Sequence, residues 1–287
     1  MSPSPTASPA RISGTLGIIC GAGRLPLDVA AAAQAHGTPV FLFAIAGEAD
    51  EAVAAFPHEW IKLGELGKLF RVMEQQNCRD LVIVGRVARP RFKDIQFDLG
   101  AIRVLPRVIG MLAGGDDHLL SRIVAYFSEH GITVHGAHDV APDILAPAGT
   151  LTRAVPDDDA LRDCETGMRL IEALAPYDVG QAVVVEHGRV LAIEAAEGTD
   201  AMLARVAKLR KDARDKAGVL VKRSKPGQDL RVDMAAVGVA TVKALQEANL
   251  TGLAVEAGRT IMVDRAEMIR MADASDLFIH VFDANGS

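Results

Sequence analysis

The sequence has 287 residues, of which 49% are hydrophobic and 24% are charged. This composition excludes a wholly disordered chain, and the length suits one large domain or two ordinary ones. A net charge of −6 and an aromatic content of only 4% argue against a general nucleic-acid binder, so we expect no nucleic acid among the partners.

The N-terminus and the cysteines indicate the cellular compartment. Residues 1–13, MSPSPTASPARIS, lack the basic start and long apolar stretch of a signal peptide and predict a disordered tail. Cys20, Cys78 and Cys164 lie far apart without a CxxC pair, which fits a reducing compartment. The longest uncharged run contains polar and turn residues and does not predict a membrane span. The sequence therefore predicts a cytoplasmic protein.

The first half alternates short apolar runs with helical patterns. We expect strands at residues 15–20, 40–46, 81–84 and 132–135, and helices at residues 26–33, 66–76 and 119–129. Apolar strands that alternate with helices are typical of a parallel sheet with both faces covered. Residues 14–145 therefore predict an α/β, Rossmann-like domain with a mostly parallel sheet.

The second half predicts another α/β domain, residues 146–287, after a boundary segment rich in proline and small residues. We expect helices at residues 157–174, 200–211, 239–248 and 265–272. We expect strands at residues 181–186, 189–194, 219–222 and 277–282 and near residues 253 and 261. His187 and Gly188 between the first two of these strands predict a hairpin.

Two glycines, Gly21 and Gly23, separate the first strand from the first helix. They supply half of a dinucleotide fingerprint, in which backbone N–H groups approach a phosphate at a helix N-terminus. Pro26 stands where the third glycine would be, and no acidic residue ends the second strand, which argues against NAD. A phosphate site and a tight structural turn both stay open.

Three other motifs are ambiguous. The run Gly114-Gly115-Asp116-Asp117 either holds a divalent cation or caps the following helix. His135 and His138 are either a metal pair or structural and exposed side chains. A basic cluster follows the third strand, at the edge where such sheets usually bind ligands: Arg86, Arg89, Arg91 and Lys93. No GxSxG, HExxH or P-loop motif occurs.

Acids and a hydroxyl follow the predicted hairpin, at the entrance to the next helix. They are Glu194, Glu197, Thr199 and Asp200. Such a group at the ends of buried strands suggests a site. The alternative is that Thr199 or Asp200 caps the helix while the glutamates are solvated.

The segment 205–231 holds ten Lys or Arg residues and three Asp residues. Within it, Lys222, Arg223 and Lys225 lie where a strand meets a Pro-Gly turn, and Asp229 and Asp233 follow four residues apart. Cations neutralise phosphate oxygens, and acids hold Mg²⁺ or orient a water, so this pattern suits phosphate-ester hydrolysis. The alternative for Asp233 is that it caps a turn or pairs with the intervening arginine.

Together these stretches resemble one family along nearly the whole chain, the LpxI-type UDP-2,3-diacylglucosamine pyrophosphatases of lipid A biosynthesis. In the family's order they are GIICGAGRLP, GDDHLL, DVGQAVVVEHGRVLAIEAAEGTDAM, VLVKRSKPGQDLRVDMAAVG and AVEAGRTIMVDR. A minor departure is Met234-Ala235-Ala236, where the family more often has a Leu-Pro pair. It affects the residues after Asp233 and not the acids themselves.

The resemblance implies Mg²⁺-dependent hydrolysis of UDP-2,3-diacylglucosamine to UMP and 2,3-diacylglucosamine 1-phosphate (lipid X). It implies a substrate cleft between two domains, a homodimer, and action at the cytoplasmic surface of the inner membrane. The alternative is a non-catalytic nucleotide- or lipid-binding Rossmann-like protein. An NAD-dependent sugar-nucleotide oxidoreductase is disfavoured by the incomplete glycine fingerprint.

The site residues that we expect fall into three groups. The catalytic acids are Asp233 and Asp229, in the C-terminal domain. The metal ligands are Asp233, Asp229 and Glu197. The substrate-binding residues are Gly21, Gly23, Arg24, Leu25, Pro26, Gln181, Thr199, Asp200, Lys222 and Lys225.

Overall fold

The structure is a computed structural model that describes residue 10, residues 12–87 and residues 116–283, the side chains of residues 116–119 excepted. The chain divides into two compact units, Met1–Asp143 and Ile144–Ser287. Each unit has its own β-sheet and is described by itself. Among the described helices, none is long and apolar enough to cross a bilayer.

The described part of the N-terminal unit is a five-stranded sheet with helices. In chain order its elements are β1 (Leu16–Cys20), α1 (Leu25–Ala35), β2 (Val40–Ile45), a 3₁₀ turn (Glu51–Ala55), β3 (His58–Ile61), α2 (Leu66–Gln75), β4 (Asp80–Val84), α3 (Asp116–Glu129), β5 (Thr133–His135) and α4 (Ala137–Val140). The strand order is β3-β2-β1-β4-β5, and every neighbouring pair is parallel. The predicted Rossmann-like parallel sheet is confirmed.

The C-terminal unit is a mixed sheet with helices. After a 3₁₀ turn (Pro142–Ile144) come β6 (Gly149–Thr150), α5 (Asp158–Leu174), a second 3₁₀ turn (Ala175–Tyr177), β7 (Ala182–Glu186), β8 (Arg189–Ile193), α6 (Gly198–Leu209), β9 (Val219–Lys222), β10 (Ala235–Val237), α7 (Val239–Glu247), β11 (Gly252–Glu256), β12 (Thr260–Met262), α8 (Arg265–Asp273) and β13 (Phe278–Phe282). The main sheet has the order β6-β13-β11-β9-β7-β8, and β10 pairs with β12 separately. The predicted α/β class is confirmed here too.

Apolar side chains cover both faces of the main C-terminal sheet. On one face, Met202 of α6, Val242 of α7 and Met268 of α8 belong to one buried cluster with strand residues. On the other face, Cys164 and Ile171 of α5 belong to a second buried cluster. Both faces are therefore closed by helices, and ligands have access to the sheet mainly at its strand ends.

The ends of several strands of this sheet lie on the same side, across the strands, and we call this side the carboxyl edge. Strands β9 and β11 are parallel and end there at Lys222 and Glu256. Strand β7 runs antiparallel to both β9 and β8, so β7 begins there, after Gln181, and β8 ends there, before Glu194. The topology therefore brings together polar residues that are up to 75 positions apart in sequence.

Candidate active site

A chain of hydrogen bonds joins four residues at the carboxyl edge. The ammonium group of Lys222 donates to Thr199 Oγ1 at 2.8 Å, and Thr199 donates in turn to Glu194 Oε1 at 2.8 Å. The second carboxylate oxygen, Glu194 Oε2, accepts the backbone N–H of Gln181 at 3.1 Å. Three predicted substrate-binding residues, Gln181, Thr199 and Lys222, thus lie in one network.

The loop after β9 holds the second lysine, Lys225, in place. Its side chain is buried, and its ammonium group donates to Asp178 Oδ1 at 2.6 Å. Its backbone N–H donates to Gln228 Oε1 at 2.7 Å, and the amide of Gln228 donates to Asp233 Oδ2 at 2.6 Å. The loop thus links Lys225 to Asp233 through one glutamine.

The buried Ser224 anchors this loop to the following strands. Its hydroxyl donates to the carbonyl of Arg259 at 3.2 Å and accepts the N–H of Ala235, the first residue of β10, at 2.9 Å. A loop held at both sides keeps Lys225 and Asp233 in a defined position, which catalysis by orientation requires.

A buried glutamate lies next to two arginines at the same edge. Glu256 accepts a hydrogen bond from Arg223 at 3.2 Å, and Arg259 Nε lies 3.6 Å from its other oxygen. Arg223 and Arg259 together carry one more positive charge than Glu256. With Lys222, which precedes Arg223 in the chain, they place donors for phosphate oxygens among the acids of this edge.

The other two predicted metal ligands are engaged by arginines. Both carboxylate oxygens of Asp229 accept hydrogen bonds from Arg231, at 2.9 and 2.7 Å, and this contact lowers the pKa of Asp229. Glu197 is exposed and pairs with Arg205 at 2.6 Å. The pKa of Glu197 is lowered mainly by a backbone N–H hydrogen bond and, to a smaller extent, by the hydrogen bond with Arg205. Arg231, the arginine that we considered as a partner of Asp233, is bonded to Asp229, and its pairing with Asp233 stays an open alternative.

The donor set indicates how a divalent cation would be held. Across the described ranges, no group of three or more His, Cys, Asp or Glu side chains is placed to hold a metal ion. Mg²⁺ usually keeps several waters and binds one or two carboxylates together with substrate phosphates. The half-buried Asp233 fits that mode, with the substrate supplying the remaining oxygens. Magnesium binding by Asp233, Asp229 and Glu197 stays a prediction.

In the N-terminal unit, Gly21 lies where β1 and β4 end side by side. Its N–H donates to the Val84 carbonyl at 2.9 Å, and Ala22 exchanges two backbone hydrogen bonds with Arg86, at 2.6 and 3.1 Å. A Cβ on Gly21 would lie 2.4 Å from the Arg86 carbonyl oxygen. These N–H groups are already bonded within the protein, which favours the structural turn for Gly21. Phosphate binding by Gly23 stays a prediction.

The close approach at Gly21 predicts a specific loss of stability. We expect Gly21→Ala to lower the free energy of unfolding by about 1–3 kcal/mol, because the added Cβ meets backbone atoms that cannot rotate away. Denaturant unfolding followed by the fluorescence of Trp60 in β3 measures this, since Trp60 is the one tryptophan in the sequence. In the comparison variant Gly23→Ala, the Cβ meets no atom within 4 Å and only the φ of +98° is strained. An unchanged midpoint in Gly21→Ala would contradict the close approach.

The remaining predicted site residues lie at the starts of two helices. Arg24, Leu25 and Pro26 form the start of α1, where the side chain of Arg24 is largely exposed and pairs with Asp28 at 3.1 Å. Asp200 is exposed in the first turn of α6. Their roles in substrate binding stay predictions.

Two of the ambiguous motifs fall partly or wholly outside the described residues. In the run Gly114-Gly115-Asp116-Asp117, only the helical backbone of the two aspartates is described. In the basic cluster, Arg86 is described, and Arg89, Arg91 and Lys93 lie outside the described residues. For the histidine motif, His135 Nε2 lies 2.7 Å from Asp80 Oδ1, and Asp80 also accepts the backbone N–H of Ser13. This contact favours the structural reading of His135.

Comparison with known proteins identifies the family of this chain. Residues 15–144 match the LpxI N-terminal domain, and residues 147–280 match the LpxI C-terminal domain. The chain belongs to the LpxI family. It is also 37% identical over 268 residues to a protein of Caulobacter vibrioides named "UDP-2,3-diacylglucosamine pyrophosphatase LpxI", an alignment that covers 92% of this chain and 96% of the relative.

Within this LpxI chain, sequence reasoning missed residues that complete the carboxyl edge. The sequence pattern groups Glu194 with Thr199 at a suggested site, but it does not predict the hydrogen bond that links Glu194 to Thr199 and through it to Lys222. Asp178 and Glu256 were not singled out as partners of Lys225 and an arginine. Their only signal in the sequence is their position at the ends of predicted strands and turns, because the partners come from other strands.

Proposed function

We propose that this chain hydrolyses the pyrophosphate bond of UDP-2,3-diacylglucosamine, giving lipid X and UMP, as a step of lipid A biosynthesis. The observation that carries the proposal is the match of both halves of the chain to LpxI domains, with the 37% identical relative that bears this activity in its name. In the reaction, a water oxygen forms a new bond to one phosphorus. The bond from that phosphorus to the bridging oxygen breaks, and the second phosphate leaves with that oxygen.

The buried cations of the carboxyl edge suit a diphosphate. Lys222 and Lys225 are each more than nine-tenths buried, so their charges act in a medium less polarisable than water. Positive groups held in such a medium stabilise negative charge that develops on phosphate oxygens as the bridging bond breaks. We propose that these two lysines contact the diphosphate and that Gln181 and Thr199 help to orient the substrate.

We propose that Asp233 orients the attacking water and accepts its proton. The hydrogen bond from Gln228 fixes one of its carboxylate oxygens, which defines the direction in which the carboxylate faces. A positioned carboxylate beside fixed cations matches the requirement of phosphoryl hydrolysis for alignment and charge stabilisation.

Asp233 would hold an Mg²⁺ ion, and Asp229 and Glu197 are the other predicted ligands. Such an ion would supply Lewis-acid stabilisation of the phosphate oxygens. Binding between the two domains, a homodimer, and docking at the cytoplasmic surface of the inner membrane complete the proposal, and all three rest on the family resemblance.

Release of UMP from purified UDP-2,3-diacylglucosamine, with and without EDTA, tests the function. We expect UMP and lipid X to form in equal amounts in the presence of Mg²⁺, and turnover to fall to background after EDTA and return when Mg²⁺ is added in excess. Binding of the UDP-sugar lipid without release of UMP would instead support the non-catalytic alternative. Turnover that persists in EDTA would contradict the metal dependence alone.

A further inference from the structure

Glu194 is a buried carboxylate that none of the predicted site groups includes. It is 8% exposed and follows the last residue of β8 at the carboxyl edge. A buried carboxylate is costly unless its oxygens accept hydrogen bonds. Both oxygens of Glu194 do so, one from the hydroxyl of Thr199 and the other from the backbone N–H of Gln181.

The directions of these hydrogen bonds follow from the chemistry of the groups. A lysine ammonium only donates, so Thr199 Oγ1 must accept the bond from Lys222. The hydroxyl of Thr199 has a single proton, and it points to the carboxylate of Glu194, which only accepts. Glu194 therefore fixes the hydroxyl in the orientation whose lone pairs face the Lys222 ammonium.

Gly180 has no side chain, and the side chain of Glu194 occupies the space beside it. A Cβ on Gly180 would lie 2.4 Å from Cγ of Glu194 and 2.6 Å from its Cβ. The N–H of Gly180 also donates to the Glu194 carbonyl at 3.0 Å. Backbone and side chain of Glu194 are thus both held by the segment 180–181, and the side chain has little freedom to move.

We propose that Glu194 is a positioning residue that acts through Thr199 to hold the ammonium group of Lys222 against the substrate diphosphate. The inference rests on the proposed function, because it needs a diphosphate at the carboxyl edge. Glu194 itself touches no substrate. It fixes where a buried positive charge stands when negative charge develops on the phosphate, so its loss affects the transition state more than substrate binding.

The first test is Glu194→Gln, assayed by steady-state release of UMP. A glutamine has one acceptor oxygen for two donors, the Thr199 hydroxyl and the Gln181 N–H, so one of the two bonds is lost or reversed. We expect kcat to fall by roughly 10-fold to 100-fold while KM changes little. The matched control is Glu186→Gln, at the opposite edge of the same sheet, where Glu186 pairs with Arg210. There we expect some loss of stability and a kcat close to that of the unchanged protein.

The second test is a double-mutant cycle with Thr199→Val, which removes the hydroxyl and keeps the shape. If Glu194 acts through Thr199, the kcat of the double variant equals that of the less active single variant. The two fold-losses in kcat then do not multiply. Gly180→Ala gives an independent check, because it displaces the carboxylate without removing it and should also lower kcat. Thermal unfolding of each variant confirms that the assays compare folded proteins.

The outcomes separate this inference from the proposed function. If the unchanged protein releases no UMP, the proposed function fails, and the positioning role, which needs turnover at this edge, is overturned with it. If the unchanged protein is active and folded Glu194→Gln has the same kcat, the positioning role is wrong. Losses that multiply in the double variant would also overturn it, since Glu194 and Thr199 would then act separately.

Discussion

Replacing Asp233 by alanine is expected to lower kcat by about 10²-fold or more, with the fold and substrate binding intact. Asp233 is half-buried in the loop between β9 and β10, and its partner Gln228 also binds the backbone of the buried Lys225. In the proposed mechanism, removal of the carboxylate leaves the lysines able to bind the diphosphate but removes the group that orients and deprotonates the water. Such a variant should trap unhydrolysed substrate, which equilibrium binding of the UDP-sugar lipid would show.

Two comparison variants sharpen this result. Asp229→Ala should cost less activity than Asp233→Ala, because both oxygens of Asp229 are already bonded to Arg231. Asp273→Ala removes another acid with an arginine partner, Arg153, at the end of α8, and should leave kcat near its normal value. Near-normal kcat in a well-folded Asp233→Ala protein would remove Asp233 from the mechanism and leave Asp229 or Glu197 as the catalytic acid.

Most of the fold could be predicted because its strands are continuous apolar runs and its helices have clear ends. Strand β2 is buried at every position, and the hairpin of β7 and β8 turns at His187 and Gly188 as predicted. Strand β3 was missed because its sequence, HEWI, is half-buried and mixes polar with aromatic residues at the edge of the sheet. Strands β6 and β10 have two and three residues, too few for a pattern to be recognised.

The candidate site was only partly predictable, because its contacts depend on strand order. Charge pattern and resemblance pointed to Lys222 and Thr199, whereas the contact of Thr199 with Glu194 requires the end of β8 to lie at the same edge as the end of β9. Likewise, the spacing of Asp229 and Asp233 suggested one shared role. The structure gives them different partners, an arginine for the first and a glutamine for the second.

Arg210 carries the largest expected effect on stability. Its guanidinium is buried, bonds to Glu186, and donates to the carbonyls of Ala248 at 3.2 Å, Asp215 at 3.0 Å and Asn249 at 3.3 Å. These contacts connect the end of α6 to three other parts of the C-terminal unit, namely the end of β7, the loop before β9 and the residues that follow α7. Arg210→Ala leaves a carboxylate and three carbonyls without this partner. We expect the free energy of unfolding to fall by about 3–5 kcal/mol.

Denaturant unfolding followed by far-UV circular dichroism measures this loss, since Trp60 lies in the other unit and does not report on Arg210. Arg210→Lys keeps the charge but not the planar fork, so it should recover only part of the lost stability. Because Glu186 lies at the edge opposite to Lys222, kcat of the folded fraction should stay near normal in both variants. A folded Arg210→Ala protein with normal stability and lowered kcat would contradict this separation, and would mean that the ion pair at one edge of the sheet controls the chemistry at the other.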